Sequence, residues 1–207
     1  MRIKPHILLA ALFLASGASL LVYVFAGISL ALALALAVVL VGVVGVFVWH
    51  KSSRDKKQLL LIQMRVGLIA GVVGTLLYDL SRFLLIKITG IHFWPFDIFN
   101  IFGQALLGAS ANGFWVAPVG MLFHLTNGIT FAISYTMLFG TRGILFGILW
   151  ALGLETLMVV VYPSWLHITF MKEFLSVSIF GHLVYGVTIG YLAKWLLLRY
   201  PDKGIQK

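Results

Sequence analysis

Four ionisable residues stand in windows otherwise made of apolar side chains: Asp79, His124, Glu155 and His182. Two imidazoles and two carboxylates are a donor set for zinc or another transition metal. The same groups can hold and pass a proton, because free imidazole titrates near neutral pH. A pair of opposed histidines can also ligate a haem iron from both sides. A fourth reading needs no ligand, since histidine–carboxylate bonds between helices fasten a bundle. No two of the four lie three or four residues apart, so spacing leaves metal, haem, proton and packing open. Tyr78, Arg82, Asn127 and Tyr185 add polar atoms in the same windows. Asp79 and Arg82, at i and i+3, are placed to pair on one helical turn.

The two histidines are related by the sequence around them. The segment 124-HLTNGIT-130 matches 182-HLVYGVT-188 at His, Leu, Gly and Thr. The segments 67-GLIAGVVGTLLYD-79 and 143-GILFGILWALGLE-155 share glycines at their first and fifth positions and an acid at the thirteenth. This predicts a parallel tandem repeat of a helical hairpin, each copy supplying one acid and one histidine. Each histidine has a small residue on either side at four-residue spacing, Gly120 and Gly128 for one, Ser178 and Gly186 for the other. Residues four apart share a helix face, and small residues let helices approach, so the histidines face neighbours. Counted from the span ends, both histidines fall ~12–14 Å deep, with Glu155 at a similar depth and Asp79 comparable or somewhat shallower, so the four share one layer.

The elements that must position them are transmembrane helices. The chain is 61% hydrophobic and only 10% charged over 207 residues, more apolar surface than one soluble core can hide. Uncharged windows of about 20 residues are long enough to cross a ~30 Å hydrocarbon core. The expected fold is an all-α integral membrane protein with six transmembrane helices and an interfacial amphipathic helix. Residues 1–50 form an N-terminal hairpin turning near Gly27, 51–58 a basic loop, 59–200 the four-helix core and 201–207 a tail. Core spans are expected at Leu59–Ile86, 115–139, 143–162 and 174–197. Pro118 falls in a first turn, whereas Pro5, Pro163 and Pro201 are expected outside helices. The opening 19 residues also read as a cleavable signal peptide, although the apolar run continues beyond them without a break.

Between the third and fourth spans, segment 91–113 carries Asp97, Asn100 and Gln104 at i, i+3 and i+7, with Phe, Ile and Leu on the other faces. It reads as an amphipathic helix at the membrane surface, with residues 95–107 able to cover what lies beneath. Six spans put twelve of the fifteen Lys and Arg on one side and leave only Arg82, Lys87 and Lys172 on the other. That bias predicts an inner-membrane protein with both termini cytoplasmic. The net charge of +9 therefore sets topology, and no basic face with interleaved aromatics points to nucleic acid. The absence of cysteine excludes disulfides, thiolate metal sites and cysteine nucleophiles. Besides the lipid bilayer, another membrane subunit is a partner that the N-terminal hairpin could recruit.

One resemblance is partial. The stretch 108-GASANG-113 resembles the GxS nucleophile loop of rhomboid intramembrane proteases, and 181-GHLVYGVTIGYL-192 resembles their later His/Gly helix. In that family a HxxxN segment precedes a serine buried at mid-depth. Here Ser110 falls in an outer connection and the His/Asn segment follows it, so a rhomboid activity is not expected. The sequence thus leaves three functions: binding or translocation of a proton or metal cation, a metal- or haem-dependent enzyme on a lipid-soluble substrate, and an accessory structural subunit.

Overall fold

A computed structural model describes residues 5–165 and 170–200. Among them there are helices and connections but no strand. The helices are α1 (Pro5–Leu12), α2 (Ala15–Ala26), α3 (Leu30–Lys51), α4 (Arg54–Thr89), α5 (Ile98–Leu107), α6 (Val116–Phe139), α7 (Ile144–Trp165) and α8 (Met171–Leu197). Five of them are long and apolar enough to cross a membrane, and α1 with α2 make a sixth if that bent pair is one span. A multi-pass membrane protein is the architecture these lengths describe. Leu32, Leu36, Val38, Val39, Val43, Val46 and Phe47 on α3 are all exposed, which suits hydrocarbon and not water. Indoles stand near helix ends at two levels, Trp94 and Trp115 at one and Trp49 and Trp195 at the other.

The first span departs from the unbroken helix expected. Residues 6–12 and 15–26 meet at 50°. Around Phe13 the backbone bonds tighten, with Phe13 N–H shared between the Leu9 and Ala10 carbonyls and Leu14 N–H bonded to Ala11. Such tightening redirects a helix. The bend serves packing: Ser16 Oγ lies 2.8 Å from Thr130 Oγ1 on α6, while Leu9 and Ala10 join Ile133 and Met137 in one cluster. The N-terminal hairpin therefore packs on the core. Gly27, at φ +67°, ends α2 in a left-handed conformation that glycine adopts without strain.

Two prolines differ from expectation. Pro5 opens α1, and α7 continues past Pro163 to Trp165. A first helical residue has no N–H to satisfy, and near a helix end one missing bond is tolerated by a residue whose φ is already helical. Helix α4 begins at Arg54, five residues ahead of the expected Leu59, because Ser53 and the charged turn extend it beyond the apolar window. The tail 201–207 with Pro201 falls outside the described residues.

Helix α4 packs against α6 and α8, and α7 packs against α8. Glycines set the separations. A Cβ on Gly71 would lie 2.6 Å from the Ile129 Cα and 3.1 Å from the Ala132 Cβ. Across the other hairpin, a Cβ on Gly147 would collide with the Gly186 carbonyl and lie 2.9 Å from the Gly190 Cα. Helices α4 and α8 approach where Gly74 meets Tyr185 and Ile189, and where Gly181 meets Tyr78 and Arg82. Backbones this close gain dispersion contact over their whole length, the main attraction available between helices in lipid.

Gly71→Val is expected to destabilise the detergent-solubilised protein by about 1–3 kcal/mol in thermal or denaturant unfolding, because the obstacle is backbone. Gly153→Val, with nothing within 4 Å of the added Cβ, is expected to leave stability within about 0.5 kcal/mol.

Candidate functional site

The four ionisable residues lie about three helical turns from the helix ends nearest α5. Asp79 is ten residues before the end of α4, and Glu155 ten before the end of α7. His124 is eight residues into α6, and His182 eleven into α8. At ~1.5 Å per residue these are depths of ~12–17 Å.

The structure brings them together as two pairs. Asp79 Oδ2 lies 3.2 Å from His124 Nε2, while its Oδ1 accepts a 2.6 Å hydrogen bond from Arg82 Nη2. The His124 contact is at ion-pair distance but off the line of a hydrogen bond. Glu155, only 3% exposed, accepts at Oε2 from Ser178 Oγ at 2.9 Å and faces His182 Nδ1 at 2.8 Å. The same Nδ1 lies 3.0 Å from the Ser178 carbonyl. A carbonyl oxygen can only accept, so a hydrogen bond there requires the hydrogen on Nδ1.

Tyr78 joins the two pairs. Its ring packs on His124 at 5.7 Å and edge-on against His182 at 4.9 Å between centroids, with the Arg82 guanidinium 4.1 Å from its own centre. Tyr185 donates a 2.6 Å hydrogen bond to the Gly128 carbonyl, tying α8 to α6. Asn127 lies beside these groups, with its Oδ1 buried and unpartnered.

The four side chains that the sequence offers as one possible metal set stand here as two acid–histidine pairs. Among the described residues no three His, Asp or Glu side chains are grouped to hold a metal ion. The physical reason lies in what the carboxylates already meet: Arg82 occupies one oxygen of Asp79, and Ser178 and His182 share one oxygen of Glu155.

Both histidines open instead on a cavity of about 370 Å³. Its polar wall comes from α4, α6 and α8: Thr75, Tyr78, Arg82, His124, Asn127, Ser178, His182 and Tyr185. Its apolar wall includes Phe131, Leu154, Met158, Phe174 and Val177. The roof is the connection between α4 and α6. A 3-10 turn at Pro95–Asp97 leads into α5, and Asp97, Ile98, Ile101 and Phe102 line the cavity. Helix α5 is amphipathic as expected: Asp97, Asn100 and Gln104 are exposed, while Phe102 and Gly103 are buried. A Cβ on Gly103 would collide with the Val116 carbonyl, so glycine there seats the roof on α6. Ser178, the partner of Glu155, was not among the site residues read from the sequence. Its signal was its position one turn before His182.

Asp79→Asn is expected to destabilise the protein by about 3 kcal/mol, because it strands the Arg82 guanidinium, which is 5% exposed, without a counter-ion. The double variant Asp79→Asn/Arg82→Gln is expected to recover part of that loss in a double-mutant cycle of unfolding measurements.

No protein-family model, no curated protein and no solved structure matches this chain, so its function is read from this geometry.

Proposed function

We propose that this chain is a six-span membrane protein, an N-terminal hairpin followed by a duplicated hairpin, whose outer-half cavity binds a ligand together with one exchangeable proton. Matching contacts support the duplication. Gly71 meets Gly128 and Ala132 in one hairpin, and Gly147 meets Gly186 and Gly190 at the corresponding positions of the other. Thr75 crowds Gly128 as Ala151 crowds Gly186. The acid–histidine pairs follow one turn further along in each case. The excess of Lys and Arg at the opposite helix ends supports an outward-facing cavity.

A charge imbalance carries the proton reading. Two carboxylates, Asp79 and Glu155, lie in the layer, and Arg82 is the guanidinium beside them. One positive charge is lacking, and His124 and His182 are the groups in contact that can supply it. An uncompensated charge at this depth costs at least ~2.5 kcal/mol, so a neutral layer holds one further proton among its carboxylates and imidazoles. The remaining titratable groups on the wall are Tyr78 and Tyr185 and, at the exposed α5 side, Asp97. Ligand entry or exit that changes the polarity of the cavity shifts that proton, which couples binding to pH.

Histidine nitrogen NMR of the isotope-labelled protein in micelles tests this reading between pH 8 and 5. His124 and His182, assigned through the single variants His124→Gln and His182→Gln, are expected to take up one proton between them. Two histidines that stay neutral throughout, or that titrate independently as exposed imidazoles do, would show that the pairs only fasten helices.

A further inference from the structure

At the helix ends opposite α5, the stretch from His50 to Arg65 carries five cations, Lys51, Arg54, Lys56, Lys57 and Arg65, against one acid, Asp55. None of the five has an ion-pair partner among the described residues. The bias that sets topology accounts for their number. It does not account for the groove beside them.

Helices α3 and α4 diverge from their short connection at Ser52 and Ser53, and a groove of about 360 Å³ lies between them. Its floor is the buried pair Leu9 and Leu60, and Phe13, Val41, Gly45 and Met64 complete its apolar walls. A Cβ on Gly45 would have the Leu9 side chain as its nearest neighbour, at 4.0 Å, so the groove is open at that level. Trp49 and His50 line its mouth. From Val41 to His50 the groove follows α3 for ~13 Å, most of the depth of one leaflet.

Charge decides the occupant. The Lys57 ammonium lies 5.3 Å from the centre of the Trp49 ring, which brings a cation without a counter-ion to the mouth of the groove. A neutral lipid fills the apolar walls and leaves that charge unmet. A soluble anion meets the charge and leaves the walls empty. An anionic phospholipid satisfies both, and each Lys or Arg near its phosphate contributes ~1 kcal/mol.

We infer that the groove holds one anionic phospholipid, with an acyl chain between α3 and α4 over Leu9 and the phosphate at Lys57 and the neighbouring cations of the connection. This inference is independent of the cavity beneath α5 and of its proton.

The test uses the full chain in phosphatidylcholine nanodiscs doped with phosphatidylglycerol that carries a diazirine on its acyl chain, with crosslinks located by peptide mass spectrometry. Labelling is expected to saturate at one lipid per chain within residues 41–50 and 57–64. It is expected to exceed labelling of the exposed α7 face at Leu145 and Leu149, which stands at the same end of the bundle. Unlabelled phosphatidylglycerol is expected to compete at least about tenfold more effectively than phosphatidylcholine. Lys57→Gln is expected to weaken binding about fivefold, whereas Arg142→Gln, which removes a cation between α6 and α7, is expected to leave it unchanged. Gly45→Phe is expected to abolish groove labelling while the helical circular dichroism is kept. Equal competition by the two lipids overturns the proposal, as does labelling no denser in the groove than on α7. Equal weakening by Lys57→Gln and Arg142→Gln overturns it in favour of a general attraction to the charged surface. Groove labelling that persists in folded Gly45→Phe overturns it as well.

Discussion

In hydrocarbon a pair of helices gains little by hiding apolar side chains from neighbours that are equally apolar, so backbone proximity has to hold the bundle. Everything polar in this protein depends on that constraint. The acid–histidine contacts at 3.2 and 2.8 Å exist because α4 sits against α6, and α7 against α8, at glycine distance. One turn from Asp79, the Thr75 side chain occupies the place where a Cβ on Gly128 would stand. A side chain at Gly128 would push α6 outward and lift His124 from its acid before any charge was altered. Packing comes first here, and the electrostatics are built on its register.

Given that register, the layer resolves an expensive problem in two ways. Asp79 is flanked by Arg82 and His124, so its charge is met from its own helix and from the next. Glu155 has no guanidinium, and its one engaged oxygen is shared by Ser178 and His182. The first pair is anchored by a fixed cation, whereas the second is held by its contacts with Ser178 and His182. Tyr78, whose ring touches both histidines, places the two in one environment. On the proposed shared proton, its occupancy of one pair would be felt at the other through a short, low-dielectric path.

Much of this was legible in the sequence because membrane helices advertise themselves. Length, apolar windows and the placement of Lys and Arg identified the spans to within a few residues, and glycines at fixed offsets identified the faces that meet. Matching two seven-residue segments and counting depth assigned one acid and one histidine to each hairpin and put all four in one layer. What stayed hidden depends on three-dimensional detail. Nothing in the apolar run 6–26 marks the 50° bend after Leu12, which arises because Ser16 and Leu9 find partners on α6. Nor does spacing reveal that the four ionisable groups divide into two pairs. A metal site and a pair of ion pairs share one composition, and only side-chain directions separate them.

The two hairpins differ in one respect that bears on function. The first connection, between α4 and α6, is long and carries the Pro95–Asp97 turn and α5, which roof the cavity over both histidines. On the proposed duplication, two equivalent hairpins would offer two equivalent half-sites, each with one acid and one histidine. A single roof, inserted in one copy only, makes their common space one compartment. Divergence at paired positions points the same way. Asn127 stands three residues after His124, and Tyr185 three residues after His182, so the two are counterparts in the matched segments. Tyr185 spends its hydroxyl on the Gly128 carbonyl, whereas Asn127 lines the cavity with its Oδ1 buried and unpartnered. On the proposed duplication, the counterpart positions have taken different tasks, Tyr185 tying α8 to α6 and Asn127 lining the cavity.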